Sequence, residues 1–332
     1  MKKILMVVTL AAIALLAACG DKASDTTAKE KLEVYTTVYP LTYFTERIAG
    51  DTVEVASIYP PGANEHTFEP TQKDMMKLAE ADVFFYIGLG LESFVEKAQK
   101  TLTQENAPTF VATADHVAKE KLDVSTGHVH AEEDDHEGHN HEGHDHEGHD
   151  HEGHDHGSQD VDAHVWLSPQ ISEDVAKEIL TTLSAKMPEH EKQFTENYEA
   201  LVKDLHQLDQ DYQAALKDVK RHTFFVSHAA FGYIAGNYGL HQVPVAGLNS
   251  QSEPSQKALM EIVQLAKKEE ITTIFFEQNV SSKLTEVIQK EVGAKADILH
   301  NLSVLTEDDI ANKEDYFTLM QKNKGALQKA LQ

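Results

Sequence analysis

Three histidines and one glutamate lie directly after a predicted strand, in the loop that follows one, or just before a predicted helix. They are His66, His164, His228 and Glu277. Three imidazoles and a carboxylate form a four-coordinate nitrogen and oxygen set that suits Zn²⁺, whereas a site for the harder Mn²⁺ usually has a further carboxylate in place of an imidazole. Each residue alone could be an ordinary capping or strand-end polar group, and it is their joint placement that indicates a metal site.

His66 lies in a segment that cannot form regular structure. Tyr59–Pro70 contains prolines and a glycine between a strand-like run and a helical pattern, so we predict a shaped loop that presents Glu65 and His66. Several acidic residues near the four candidates could orient a ligand or supply the fourth ligand in place of Glu277. They are Glu65, Glu69, Asp162 and Glu253.

Short apolar runs alternate with helical patterns in both halves of the chain, which predicts an α/β fold with two mostly parallel sheets. The predicted strands of a first lobe, residues 32–167, are Glu33–Val38, Val53–Ile58, Val83–Ile87 and Thr109–Ala112. Those of a second lobe, residues 220–332, are Thr223–Ser227, Leu240–Val245, Thr273–Phe276 and Ala296–Leu299. Ligands of open α/β sheets bind beyond the carboxyl ends of the strands, so we expect two candidates from each lobe to meet in the crevice between the lobes.

A helical pattern links the two lobes over residues 168–219. Ser168-Pro169 is a helix-start signal, with serine as the N-cap and proline in the first turn. We predict that Pro188 kinks or divides the helix, because proline removes a backbone donor. Apolar residues recur at helical spacing from Phe194 to Leu216, which indicates core packing.

Residues 128–156 form a low-complexity tract that contains eleven of the 20 histidines, alternating with carboxylates and without lysine or arginine. This composition offers almost nothing to bury, so we predict a disordered surface loop that binds several metal ions weakly; the alternative is a plain spacer. Its histidines are His128, His130, His136, His139, His141, His144, His146, His149, His151, His154 and His156. The histidines outside the tract and the candidate site are interpreted as structural or solvated: His116, His190, His206, His222, His241 and His300.

The first residues of the chain resemble an export signal. Lys2 and Lys3 precede an apolar run that ends at Cys19, and the run is too short for a membrane span, so residues 1–18 are predicted to be a signal peptide. Leu16–Cys19 resembles a bacterial lipoprotein box, in which the cysteine carries the lipid. The alternative is an ordinary signal peptide with an incidental cysteine. Residues 19–31 are small, polar and charged, which is typical of a flexible tether to the cell membrane.

The formal net charge of −26 argues against some classes of partner. Binding to nucleic acid requires a basic face, and broad adhesion to anionic lipid requires clustered lysine and arginine. A metal cation is the natural counterpart of such an acidic chain.

Several motifs of the chain resemble those of the zinc-uptake substrate-binding proteins of ABC importers. The matching segments are Pro60–Pro70, Asp162–Pro169, Ser227–Tyr233, Glu253–Ser255 and Phe275–Glu277, and the resemblance extends over roughly residues 32–332. It implies two (β/α)₄ lobes joined by a long helix, with the metal at the lobe interface. It also implies that His66, His164 and His228 are ligands, with Glu277 as the acidic fourth ligand, although some zinc members use water or a glutamate matching Glu65.

The resemblance implies a function without catalysis. We expect a monomeric, extracytoplasmic lipoprotein of a bacterium that captures Zn²⁺ and delivers it to an ABC permease with a cytoplasmic ATPase. A manganese-specific importer is an alternative, and His228 argues against it because manganese members tend to have glutamate there. A zinc metallohydrolase is a second alternative, against which the sequence lacks a His-Glu-x-x-His motif. A surface adhesin or a pure metal buffer is a third.

Overall fold

The computed structural model describes residues 31–102, 107–125, 161–250, 254–278 and 282–332. The described residues from Leu32 to Gln332 belong to one compact unit. The predicted signal peptide, the tether up to residue 30 and the histidine-rich tract lie outside the described residues. Among the described residues, no helix is both long enough and apolar enough to cross a membrane.

Two four-stranded sheets with the same strand order form the framework of the described residues. The first has the order β2-β1-β3-β4 and consists of β1 (Leu32–Thr36), β2 (Val53–Ser57), β3 (Val83–Tyr86) and β4 (Thr109–Ala112). The second has the order β6-β5-β7-β8 and consists of β5 (Thr223–His228), β6 (His241–Ala246), β7 (Thr273–Phe276) and β8 (Lys295–Ile298). All neighbouring strands are parallel, which confirms the predicted pair of α/β lobes.

Helices connect the strands of each sheet and link the two lobes. Those of the described residues are α1 (Tyr39–Ala49), α2 (Gln72–Glu80), α3 (Val95–Thr101), α4 (Lys119–Leu122), α5 (Pro169–Lys186), α6 (Glu191–Leu216), α7 (Gly232–Asn237), α8 (Gln256–Lys268), α9 (Lys283–Val292), α10 (Glu307–Ala311) and α11 (Tyr316–Leu331). Short 3₁₀ helices occur at Gly50–Thr52, Val165–Leu167 and Pro188–His190. The one-turn helices α4 and α10 were not predicted, because so short an element lacks a full amphipathic period.

The link between the lobes consists of two helices that pack against one another. Helix α5 starts as predicted, with the Ser168 hydroxyl accepting a hydrogen bond from Ile171 N at 3.3 Å. It ends at Lys186, and α6 begins after the 3₁₀ turn that contains Pro188. The predicted division of the helix at this proline is thus confirmed.

Strand β5 is one residue longer than predicted and ends at His228. The reason is that the backbone of His228 still pairs with Ala246 of β6. The direction of this histidine is consequently set by the strand itself rather than by a following loop.

One hydrophobic core continues through both lobes and the linking helices. Tyr316 of α11 packs against Phe44 of α1, with ring centroids 4.9 Å apart, so the last helix of the second lobe contacts the first helix of the first lobe. A smaller cluster around Phe225 packs the second sheet against α8 and α9. Since burial of this shared apolar surface opposes separation of the lobes, it also fixes how the carboxyl edges of the two sheets face each other.

Candidate metal centre

The imidazoles of His66, His164 and His228 converge in the crevice between the two sheets. The Nε2 atom of His66 lies 3.2 Å from Nε2 of His228 and 3.3 Å from Nε2 of His164. One nitrogen from each residue falls within 4.8 Å of the others. Three nitrogens bound tetrahedrally to zinc lie about 3.3 Å apart, since each Zn–N bond is about 2.0–2.1 Å. The spacing of the rings therefore fits a zinc ion.

His164 is held by the buried carboxylate of Asp162. The Oδ1 atom of Asp162 lies 2.7 Å from Nδ1 of His164 and also accepts a hydrogen bond from His164 N at 2.9 Å. The Oδ2 atom accepts a hydrogen bond from the Ser125 hydroxyl at 2.5 Å. A carboxylate at Nδ1 fixes a proton there and leaves the lone pair of Nε2 directed into the crevice. Burial opposes the ionisation of Asp162, but its hydrogen bonds and electrostatic interaction with His164, together with the hydrogen bond from Ser125, outweigh it and lower the pKa of Asp162.

Helix α7 supports this arrangement from the second lobe. The Tyr233 hydroxyl donates to Asp162 O at 2.6 Å. Gly236 permits a close approach to the segment that carries Ser125, because a Cβ at Gly236 would lie 1.9 Å from the carbonyl oxygen of Val124. The segment that bears His164 is thus fixed from both lobes.

His228 has an equivalent partner in Glu277. The Oε1 atom of Glu277 lies 2.8 Å from Nδ1 of His228 and accepts a hydrogen bond from the Ser227 hydroxyl at 3.2 Å. Glu277 directly follows β7, which pairs with β5, so neighbouring strand ends bring the two side chains together. The predicted fourth ligand therefore contacts the Nδ1 side of His228, whereas the three imidazoles meet through Nε2. Its role as a ligand stays a prediction.

The surroundings of His228 and His66 shift the pKa values of the two imidazoles in opposite directions. Burial opposes a charge on His228, but Glu277 outweighs it and raises the pKa of His228 to about 9. Burial and the two neighbouring imidazoles lower the pKa of His66 to about 3. A protonated His228 donates from Nε2 to acceptors such as Leu248 O, 3.1 Å away. A metal cation that binds at this nitrogen must displace its proton.

Glu65 approaches the imidazoles from the loop that carries His66. Its Oε1 atom lies 3.9 Å from Nε2 of His66 and accepts a hydrogen bond from Asn301 Nδ2 at 2.9 Å. Its Oε2 atom accepts a hydrogen bond from the Ser303 hydroxyl at 2.9 Å. Burial, followed by the charge of Glu277, raises the pKa of Glu65.

The other acidic candidates differ in where they lie relative to the three histidines. Asp162 contacts a candidate ligand as described, Glu69 is exposed, and Glu253 lies outside the described residues. Sequence reasoning missed Asn301, Ser303, Ser125 and Tyr233. Asn301 could have been found, because it lies just after β8 at the same sheet edge as His228 and Glu277.

The fold and this histidine centre together define the class of two-lobed, metal-binding solute-binding proteins. The model of the family "Zinc-uptake complex component A periplasmic" (ZnuA) matches residues 34–330. The chain belongs to this family.

Curated relatives and a solved structure agree with this assignment. The chain is 37% identical over 329 residues to "Zinc-binding lipoprotein AdcA" of Streptococcus pneumoniae strain R6, covering 98% of this chain and 60% of the relative. It is 34% identical to "High-affinity zinc uptake system protein ZnuA" of Bacillus subtilis strain 168, covering 98% of this chain and 96% of the relative. The Zn(II)-bound ZnuA-like domain of Streptococcus pneumoniae AdcA superposes with a TM-score of 0.70 at 32% identity, over 91% of this chain and 99% of that domain. The chain thus spans about 60% of the length of AdcA.

Proposed function

We propose that this chain is the extracytoplasmic component of a zinc importer. It captures Zn²⁺ in the crevice and delivers the ion to an ABC permease driven by a cytoplasmic ATPase. The observation that carries the proposal is the convergence of three Nε2 atoms, at 3.2 and 3.3 Å, on a spacing suited to tetrahedral zinc. Membership of the ZnuA family supports it.

In this proposal His66, His164 and His228 bind the ion through Nε2 and replace part of its hydration shell. Glu277 is the predicted fourth ligand. Glu65 is the alternative, because its Oε1 atom lies 3.9 Å from Nε2 of His66, on the side where the imidazoles meet. The ion leaves chemically unchanged, so no residue is assigned a catalytic role.

Two further parts of the chain serve delivery in this proposal. A lipid on Cys19 anchors the monomeric protein to the outer face of the cell membrane. The tract of residues 128–156, together with the acidic surface, raises the local concentration of zinc.

Calorimetric titration of the metal-free protein with Zn²⁺ tests the assignment of the site. We expect one tight site that survives deletion of residues 128–156 and is lost in H164A. If the deletion abolished all tight binding, the crevice would not be the main site. Tighter binding of Mn²⁺ than of Zn²⁺ would favour the manganese importer, and hydrolysis of ester or peptide substrates by the zinc form would favour the metallohydrolase.

Growth tests the role in uptake. A bacterium that lacks the gene should grow poorly in zinc-poor medium and recover when zinc is added. Unchanged growth in zinc-poor medium would favour an adhesin or a metal buffer.

A further inference from the structure

Asn301 follows β8 and is buried at the crevice, with a fixed side-chain orientation. Its Oδ1 atom accepts hydrogen bonds from Gln278 Nε2 at 2.7 Å and from Ser303 N at 3.0 Å. Its backbone N–H donates to Gln278 Oε1 at 3.0 Å. Since Oδ1 receives these donors, the amide nitrogen is the atom that points to the other side.

The amide nitrogen of Asn301 joins two carboxylates from different lobes. It donates to Oε1 of Glu65 at 2.9 Å and to Oε2 of Glu277 at 2.7 Å. Glu65 precedes His66 in the loop of the first lobe, and Glu277 contacts Nδ1 of His228 in the second lobe. One amide group is thus linked to the supports of two of the three histidines.

The backbone of Asn301 reaches the third histidine. Its carbonyl oxygen accepts a hydrogen bond from the indole N–H of Trp166 at 2.7 Å. Trp166 lies in the 3₁₀ turn that follows His164, and the two rings are 5.4 Å apart. Asn301 therefore contacts a neighbour of every imidazole in the centre without belonging to the cluster itself.

The chemistry of this arrangement explains why an amide is present. Glu65 and Glu277 are both buried, and two carboxylates in such a place repel each other unless a donor satisfies them. Nδ2 supplies one hydrogen to each, and Ser303 supplies a further donor to Glu65. An aspartate at the same position would keep the shape but would add a third negative charge.

We propose that Asn301 is a positioning residue of the metal centre that acts through the carboxylates of both lobes. It bridges the lobes through the carboxylates of Glu65 and Glu277 and thereby holds the three imidazoles at zinc-binding distance before the ion arrives. This inference rests on the proposed function, and it adds a residue that binds no metal yet sets the affinity of the site.

Titration with Zn²⁺ of the full-length protein and its N301D variant tests the proposal. Loss of a group that orients metal ligands weakens binding about 10- to 100-fold, and we expect N301D to fall in this range. The matched control is N323D, because Asn323 is equally buried and its amide is hydrogen-bonded to the backbone of His300, at 2.7 and 2.8 Å, rather than to either glutamate. If N301D weakened zinc binding no more than N323D, the proposal would be overturned.

A double-mutant cycle separates positioning from a general loss of structure. In the N301D variant, the amide that E65Q introduces can donate a hydrogen bond to the carboxylate at position 301. E65Q should therefore reduce zinc affinity less in the N301D background than in the wild type. It should show no such coupling in the N323D background. Independent effects of E65Q and N301D would contradict the bridge.

The same cycle is measured by urea unfolding of the metal-free proteins, where no zinc site is involved. Coupling between positions 65 and 301 in that experiment supports the bridge even if zinc binds elsewhere. If H228A bound zinc as tightly as the wild-type protein, the proposed function would be contradicted instead. The two failures are therefore distinguishable.

Discussion

The two lobes have the same strand order but carry their polar groups differently at the crevice edge. In the second lobe His228 ends β5, Glu277 directly follows β7, and Asn301 is the third residue after β8, and these three strands are adjacent. In the first lobe His66 comes from a loop, and His164 comes from the segment before the linking helix. The polar groups of the second lobe are thus positioned by its strands, whereas the first lobe presents its two histidines from segments outside its sheet.

A buried glutamate lies near the carboxyl ends of the central strands in both lobes. Thr37, which follows β1, donates through its hydroxyl to Glu92 at 2.7 Å, and Ser227 of β5 donates in the same way to Glu277 at 3.2 Å. Glu92 also accepts hydrogen bonds from the backbone N–H groups of Ile87 and Gly88, at 2.9 and 3.1 Å.

The two hydroxyl residues differ in the residue that follows them in the chain. Thr37 is followed by Val38, which is buried in the core, whereas Ser227 is followed by His228. Glu92 consequently satisfies backbone groups, and Glu277 orients an imidazole. Buried glutamates near the carboxyl ends of the two sheets thus have different partners, which are backbone N–H groups in one lobe and an imidazole in the other.

Removal of a histidine from the second lobe should have the largest effect. H228A deletes one of the three converging nitrogens, so its loss of zinc affinity should exceed the roughly 100-fold upper range for an orienting partner. Calorimetric titration measures this change. H222A is the control, because His222 is exposed and lies at the opposite end of β5 from the crevice; equal losses in the two variants would contradict the site.

Glu92 should make the metal-free protein less stable as the pH rises. Burial raises the pKa of Glu92 to about 7, from 4.5 in the absence of burial, so the folded state binds a proton that the unfolded state has lost. Between about pH 4.5 and 7 this group should lower the free energy of unfolding progressively, by up to about 3 kcal/mol. Urea unfolding at several pH values measures the slope, and E92Q should flatten it. A slope that is the same in E92Q would show that another group is responsible.

Substitution of the corresponding glutamate in the second lobe should act on zinc instead. E277Q keeps the shape but removes the charge that holds Nδ1 of His228, so we expect a loss of about 10- to 100-fold in zinc affinity. E92Q should leave that affinity unchanged in the same titration. A loss in E277Q as large as that in H228A would support Glu277 as a direct ligand, and no loss would contradict both roles.

The smallest effect should come from Ser125. S125A removes the hydrogen bond from its hydroxyl to Asp162, whose net contribution is about 1 kcal/mol, and leaves the contact between Asp162 and His164 in place. We expect zinc affinity to fall by less than in E277Q. A larger fall, measured by the same titration, would show that Ser125 does more than support Asp162.

The sequence was sufficient to predict the strands of the two described sheets and the three converging histidines, but not the one-turn helices α4 and α10. The end of a predicted strand located His228, the loop after the second strand located His66 and the helix-start signal located His164, and strands β4 and β7 have their predicted bounds. The direction of Glu277 could not be predicted, because it depends on how β5 and β7 bring Nδ1 of His228 against its carboxylate. The bridge through Asn301 could not be predicted either, since it depends on how core packing places one lobe against the other.

The central claim is that zinc binds between the lobes at the Nε2 atoms of three histidines. Anomalous diffraction at the zinc absorption edge, from crystals of the zinc-loaded protein, tests it most directly. We expect a strong peak in the crevice within about 2.1 Å of Nε2 of His66, His164 and His228. A crevice without a peak, in crystals that show zinc elsewhere on the molecule, would contradict the account.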